Sequence, residues 1–141
     1  LCGTVLGAQR GALAVLLFIT LTALGLPLLS GGRGGLGVFA SPSVGFIFGF
    51  PLAAFFAGWI TSKLKLINVF YSSLLGALVG GILILYIPGI VGMSIMLDKS
   101  ISEAALIALI YLPGDCIKAF LCAILTHTLF KLRPENVLSR I

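Results

Sequence analysis

The sequence predicts an all-α protein, a polytopic bundle of transmembrane helices formed by a single domain of residues 1–141. Hydrophobic residues make up 60% of the chain and charged residues only 9%, whereas an ordinary soluble domain is about 25% charged. Four apolar stretches approach or exceed the ~20 residues that a helix needs to cross a bilayer. The length suits one compact bundle and leaves too few residues for a second, soluble domain.

The four predicted spans are residues 11–29, 43–62, 68–87 and 102–130. Pro27 lies near the end of the first span, and Pro88-Gly89 is expected to end the third, because proline lacks an N–H and glycine disfavours helix. Residues 90–100 then form a connection. Pro113-Gly114 predicts a bend inside the fourth span.

Small residues recur every four positions in the second span and glycines cluster in the third, which predicts helix faces that approach closely in lipid. In the second span these residues are Gly45, Gly49, Ala53 and Ala57. In the third span they are Gly76, Gly80 and Gly81.

The distribution of basic residues predicts the orientation. Arginine and lysine in cytoplasmic loops outnumber those in outer loops in multi-pass proteins. The residues on one side are Arg10, Lys63, Lys65, Lys131, Arg133 and Arg140, whereas Arg33 and Lys99 lie on the other. We therefore expect a multi-pass plasma-membrane protein with both ends of this chain in the cytoplasm. No basic run interleaved with aromatic residues indicates nucleic-acid binding.

Asp115 and Lys118 are the most informative residues, because they lie inside the fourth apolar stretch. A charge at the bilayer centre costs roughly 2.5–3.5 kcal/mol, so we expect the pair at mid-depth to face a bundle interior or a wet cavity. Three residues apart, the two share one helix face. Either they form an ion pair that locks two helices, or together they bind a small ligand with N–H donors and a carbonyl, or a zwitterion.

The glycine-rich residues 30–37 and the following helix start supply further candidate contacts. The loop is either a flexible linker or an ordered cover over the site, in which Gly35 lets the backbone approach a ligand. Arg33 either meets a carboxylate or is solvated. The predicted helix start presents free N–H groups near Ser43 and Gly45. Phe46 and Tyr111 are candidate apolar walls.

Two other chemistries lack support. His127 has no acid or second histidine at a useful spacing, so no metal site is expected. A serine nucleophile with Lys118 as its base has no supporting serine motif. The three cysteines form no Cys-x-x-Cys motif and are read as small apolar residues.

Motifs across nearly the whole chain resemble those of the BioY family, the biotin-specific substrate-binding (S) subunits of energy-coupling-factor (ECF) transporters. They are Gly11-Ala12-Leu13, Gly25-Leu26-Pro27, the run Gly31-Gly32-Arg33-Gly34-Gly35-Leu36-Gly37, Pro42, Gly45-Phe46, Gly49-Phe50 and Leu112-Pro113-Gly114-Asp115-Cys116-Ile117-Lys118-Ala119. The combination of the Pro-Gly-Asp-x-x-Lys motif with the glycine-rich loop makes the resemblance specific to this family. The family pattern Gly-Pro-Thr-Gly-Gly-Tyr reads Ser41-Pro42-Ser43-Val44-Gly45-Phe46 here.

The resemblance implies a six-helix bundle that holds biotin near its outer face, with Asp115 and Lys118 contacting the ureido ring and residues 30–43 covering the ligand. It implies that the family's first helix and most of its second precede the part matched here. It also implies a coupling transmembrane subunit and two ATPases as partners. No cofactor and no enzymatic activity are expected. The alternatives are an S subunit for another vitamin, a structural membrane subunit or an intramembrane enzyme.

Overall fold

A computed structural model of the chain describes residues 1–141 and consists of helices joined by short connections. The α-helices are α1 (Cys2–Leu6), α2 (Ala8–Ala23), α3 (Val44–Lys63), α4 (Val69–Leu97), α5 (Ile101–Leu109) and α6 (Leu112–Leu132). Two short 3-10 helices cover Leu36–Ala40 and Pro134–Asn136. There is no β-strand; one backbone bridge pairs Leu29 with Arg33. The all-α prediction is confirmed.

The chain passes up and down the bundle in alternation, as predicted. The basic end carries the α1–α2 junction, the α3–α4 turn and the C-terminal residues, whereas the loop end carries the glycine-rich segment and the α4–α5 turn. Helices α3 and α4 are each long and apolar enough to cross a membrane, and the bent pair α5–α6 makes a third span if its two helices are taken together as one broken span. Helix α2 has 16 residues, fewer than the ~20 that a span needs.

The predicted end of the first span at residue 29 is wrong, because α2 ends at Ala23. Gly25 has a φ of 106°, a conformation that glycine adopts without steric cost and that ends a right-handed helix. Pro27 follows two residues later and disfavours helical geometry in the residue before it. The chain therefore leaves the helix earlier than its apolar composition suggests.

The predicted end of the third span at Pro88-Gly89 is also wrong, because α4 continues for 29 residues to Leu97. Residues 90–100 are thus mostly helix, and the turn is only residues 98–100. A π-helical segment, Val79–Ile84, lies just before Pro88, and such local adjustments accommodate proline in membrane helices. The helix ends where Asp98 turns left-handed at φ 51°.

The fourth span is two helices rather than one, since α5 and α6 meet at a 55° bend. The bend falls just before Pro113, as the sequence predicted. The mid-depth position of Asp115 is not confirmed, because this residue lies in the first turn of α6. Helix α6 has 21 residues, which at 1.5 Å per residue is about 31 Å and by itself matches the bilayer core. Asp115 is therefore near the loop end.

The small-residue faces predicted for the second and third spans pack closely, and they join α3 to α4. Gly45, Gly49, Ala53 and Ala57 are all buried. A Cβ on Gly80 would lie 2.5 Å from the Ala53 carbonyl oxygen, and one on Gly76 would lie 2.6 Å from that of Ala57. The two backbones therefore leave no space for a side chain along this line. Gly81 differs, because a Cβ there would meet nothing within 4 Å.

The C-terminal residues fold back onto the basic end and join three helices. Val137 is fully buried, and the Ser139 hydroxyl donates a hydrogen bond to the Thr4 carbonyl in α1. The Arg140 guanidinium donates to the Leu64 carbonyl at 2.9 Å. It also donates to the Ser72 hydroxyl at 2.8 Å. Because Arg140 is partly desolvated, burial lowers the pKa of its guanidinium.

The glycine contact gives a matched test of the fold. We expect Gly80→Ala to lower the free energy of unfolding by about 1–3 kcal/mol, because the added methyl overpacks α3 against α4. Gly81→Ala adds the same methyl to the neighbouring position, where there is space, and we expect no loss. Thermal unfolding in detergent micelles measures both. Equal midpoints for the two variants would contradict the packing described here.

Candidate functional site

Asp115 lies at the centre of a three-residue polar cluster near the loop end. Its Oδ1 atom accepts a hydrogen bond from Lys118 Nζ at 2.9 Å, and its Oδ2 atom accepts one from the Tyr86 hydroxyl at 2.8 Å. The Asp115–Lys118 contact is the single ion pair in the structure. The Lys118 side chain is 77% exposed and that of Asp115 is 19% exposed. The carboxylate is thus held in place while the ammonium remains accessible.

Helix geometry positions each member of the cluster. Asp115 and Lys118 are three residues apart in α6 and share one face, as the spacing predicted. Tyr86 comes from α4, two residues after the π-helical segment. The Phe46 ring of α3 packs edge-on against the Tyr86 ring, with centroids 5.8 Å apart. Gly89 makes room for Phe46, since a Cβ on Gly89 would lie 2.6 Å from Phe46 Cδ1.

An apolar cleft of about 490 Å³ opens beside Asp115 and Lys118. Its walls come from α1, α2, α3, α4 and α6. Thirteen of its seventeen lining residues are hydrophobic. Ligand sites are commonly clefts of this kind, largely apolar with a few polar groups that fix orientation. This combination can hold a small molecule that has a polar head and an apolar body.

Asp115 and Lys118 line the cleft, whereas the glycine-rich loop does not. Arg33 is exposed, and its Nε atom is 3.4 Å from the Ser30 carbonyl oxygen. Gly35 has a φ of 83° and donates its N–H to the Thr22 carbonyl at 2.7 Å. The loop is therefore folded against the end of α2, which favours an ordered segment over a linker. Neither Arg33 nor Gly35 lines the cleft.

The remaining predicted residues lie around the start of α3 and of α6. Ser43 hydrogen-bonds through its hydroxyl to that of Ser41 at 2.9 Å. Gly45 packs against the Pro88 backbone. Phe46 joins the cluster indirectly through Tyr86, and Tyr111 is 56% exposed on the surface.

The sequence reasoning missed Tyr86. Its hydroxyl is the one polar group in an otherwise apolar stretch of α4, and this was the available signal. A buried tyrosine hydroxyl normally finds a hydrogen-bond partner. The identity of that partner depends on how α4 rotates against α6, which the spacing of residues does not reveal.

The fold is that of an ECF S-component. The crystal structure of the S-component for biotin from an ECF-type ABC transporter superposes with a TM-score of 0.85 and 30% sequence identity. The match covers 92% of this chain and 70% of that chain. The similarity defines the class of protein as a polytopic membrane component of a transporter.

The chain belongs to the BioY family, whose family model matches residues 1–135. It is 42% identical to the biotin transporter BioY of Rhodobacter capsulatus over 99% of this chain and 78% of that protein. It is also 42% identical to the biotin transporter BioY of Rhizobium etli, over 89% of this chain and 70% of that protein. The Lactococcus lactis biotin transporter BioY is 30% identical over 93% of this chain and 70% of that protein. The family resemblance identified from the sequence is confirmed.

The hydrogen bond from Tyr86 to Asp115 gives a test of the cluster. We expect Tyr86→Phe to lower the free energy of unfolding by about 1.5–3 kcal/mol, the range for a hydrogen bond to a charged group. Tyr71→Phe is the control, because Tyr71 is 58% exposed and its hydroxyl has no hydrogen-bond partner within the protein. Thermal unfolding of the ligand-free protein measures both. A Tyr86 variant as stable as the Tyr71 variant would contradict the cluster.

Proposed function

We propose that this chain is the biotin-binding subunit of an ECF-type importer, and that it captures the vitamin for ATP-driven uptake by partner subunits. Membership of the BioY family and 42% identity to two proteins named as biotin transporters support this function. These relatives are transporters, in agreement with the expectation that the chain is not an enzyme. They also favour biotin over another vitamin and over a purely structural role.

The polar cluster supplies hydrogen-bonding groups that match the ureido ring of biotin, which has two N–H donors and one carbonyl acceptor. Each Asp115 oxygen already accepts one hydrogen bond, but a carboxylate oxygen has about two acceptor sites. The ring N–H groups can therefore bind Asp115 without displacing its partners. Lys118 has three N–H donors and uses one on Asp115, so a donor remains for the ureido carbonyl.

The apolar cleft supports the same proposal, because the sulfur-containing ring and aliphatic chain of biotin are apolar. Alanine and larger apolar side chains of α2 and α3 form the cleft walls near Asp115. For the biotin carboxylate we propose the loop end, where Arg33 and the N–H groups at the start of α3, near Ser43 and Gly45, are candidate donors, whereas the Gly35 N–H is already bonded to the Thr22 carbonyl. Phe46 acts through Tyr86 in this proposal, and Tyr111 is a candidate wall.

The partners and the orientation extend the proposal. The S-component with the same fold comes from an ECF-type ABC transporter, which supports a coupling transmembrane subunit and two ATPase subunits as partners here. The excess of arginine and lysine at the basic end supports a plasma-membrane orientation with that end in the cytoplasm. The polar cluster then lies toward the outer face, where a vitamin arrives.

Biotin binding by variants of the cluster tests the function and the site separately. We expect Asp115→Asn and Lys118→Ala each to raise the Kd for biotin about ten- to a hundredfold, the loss of a hydrogen bond to a charged group. Asp98→Asn and Lys99→Ala are the controls, because these residues form an exposed acid and base at the same end of the bundle. Equilibrium binding of radiolabelled biotin to purified protein measures all four.

The outcomes are distinguishable. If the parent protein binds biotin and the Asp115 and Lys118 variants bind equally well, the site is wrong and the function stands. If the parent protein gains no protection against heat from biotin but gains it from another vitamin, the assigned substrate is wrong. A parent protein that no vitamin protects would favour the structural alternative.

A further inference from the structure

A second recess, of about 430 Å³, lies at the basic end of the bundle, and no residue of the polar cluster lines it. It is formed by the turn between α3 and α4, the last turns of α6 and the returning C-terminal residues. The biotin proposal does not use this recess.

The cationic side chains that line the recess have no aspartate or glutamate partner, although Lys65 Nζ donates a hydrogen bond to the Ile141 main-chain oxygen. Lys65, Lys131 and Arg140 contribute three positive charges, and His127 lies beside them. No aspartate or glutamate lines the recess. The single ion pair of the protein is elsewhere, at Asp115 and Lys118. Uncompensated positive charge in a concave site favours an anionic occupant.

Two buried nitrogen atoms of lining residues have no hydrogen-bond partner. They are His127 Nδ1 and Arg140 Nε. The terminal nitrogens of Arg140 are already bonded, to Leu64, Ile67 and Ser72. More than about 90% of buried polar groups in proteins are hydrogen-bonded, so these two nitrogens leave hydrogen-bonding capacity in the walls of the recess that the chain itself does not use. An anion at this place would also offset the desolvation of the guanidinium.

Apolar side chains adjoin the same cations, which distinguishes the recess from a site for a water-soluble anion. Leu66 is fully exposed and Ile67 is 42% exposed. Phe130 completes the apolar side. The residues belong to helix ends of membrane spans, where the polar headgroups of lipids meet the hydrocarbon core. Basic pockets between helix ends on the cytoplasmic side are suited to anionic lipid headgroups.

We propose that this recess binds the phosphate group of an anionic phospholipid, with Lys65, Lys131 and Arg140 around the phosphate and acyl chains beside Leu66, Ile67 and Phe130. The lipid ties the α3–α4 turn to the end of α6. It thereby stabilises the end of the bundle that the C-terminal residues already hold together.

Thermal unfolding of the purified full chain with added lipid tests the proposal. We expect phosphatidylglycerol to raise the unfolding midpoint by about 3–5 °C, as a ligand specific for the folded state does. Phosphatidylcholine with the same acyl chains should give no such shift. The shift should decrease with added salt, because salt screens exposed charges. Inorganic phosphate without lipid is the arm that tests a free anion.

Two double variants separate the recess from general surface charge. Lys65→Gln with Lys131→Gln removes two charges that line the recess, and we expect it to lose at least half of the phosphatidylglycerol shift. Lys63→Gln with Arg133→Gln removes two exposed charges from the same end without lining the recess, and should keep the shift. Native mass spectrometry should show a bound phosphatidylglycerol on the parent and the control and its loss from the recess variant.

Three results would overturn the proposal. The first is an equal phosphatidylglycerol shift in the two double variants, which would mean that general charge attracts the lipid. The second is a full shift with inorganic phosphate, which would identify a free anion as the ligand. The third is equal retention of lipid by both variants in the mass spectrometer, a measurement that does not depend on their thermal stability. Biotin binding should be unchanged in both variants, so this test is independent of the proposed function.

Discussion

The backbone contact between α3 and α4 is the constraint on which the rest of the structure depends. Lipid is as apolar as leucine, so membrane helices associate through close van der Waals packing rather than through the hydrophobic effect. The contact places Gly45 against Pro88, which sets Phe46 over Gly89 and edge-on to Tyr86. The Tyr86 hydroxyl then donates a hydrogen bond to Asp115 Oδ2. The close approach of α3 and α4 at their small residues thus sets the position of the polar cluster.

The sequence predicted the small-residue faces of α3 and α4 but not that they contact each other, and it misled about where α4 ends. The spacing of Gly45, Gly49, Ala53 and Ala57 is a local pattern that survives in any helix. Pro88-Gly89 is a stop signal in water, where solvent satisfies the freed backbone groups. In lipid an unsatisfied group costs several kcal/mol, so continuing the helix is favoured, and the π-helical segment Val79–Ile84 accommodates the proline.

The site was predictable to the extent that it is local in sequence. Asp115 and Lys118 meet because three residues separate them on one helix. Tyr86 is 29 residues away from Asp115, and their meeting depends on the rotation of α4 beyond its π-helical segment and on the 55° bend before α6. The course of the glycine-rich loop depends on residues with a positive φ, such as Gly35. No periodic pattern encodes that course, which is why Arg33 could be named as a candidate but not placed.

Acidic and basic residues are distributed unequally between the two ends of the bundle. Three of the four acidic residues, Asp98, Glu103 and Asp115, lie toward the loop end, whereas six of the nine basic residues lie at the other. At the loop end acid and base meet, so the cluster is nearly neutral and suits an uncharged ureido ring. At the basic end only Glu135 is acidic, and it forms no ion pair. Cations without an acidic partner in their own chain attract anions from their surroundings, and in a membrane the nearest anions are lipid phosphates. The same asymmetry therefore agrees both with the proposed orientation in the bilayer and with the proposed lipid-binding recess at the basic end.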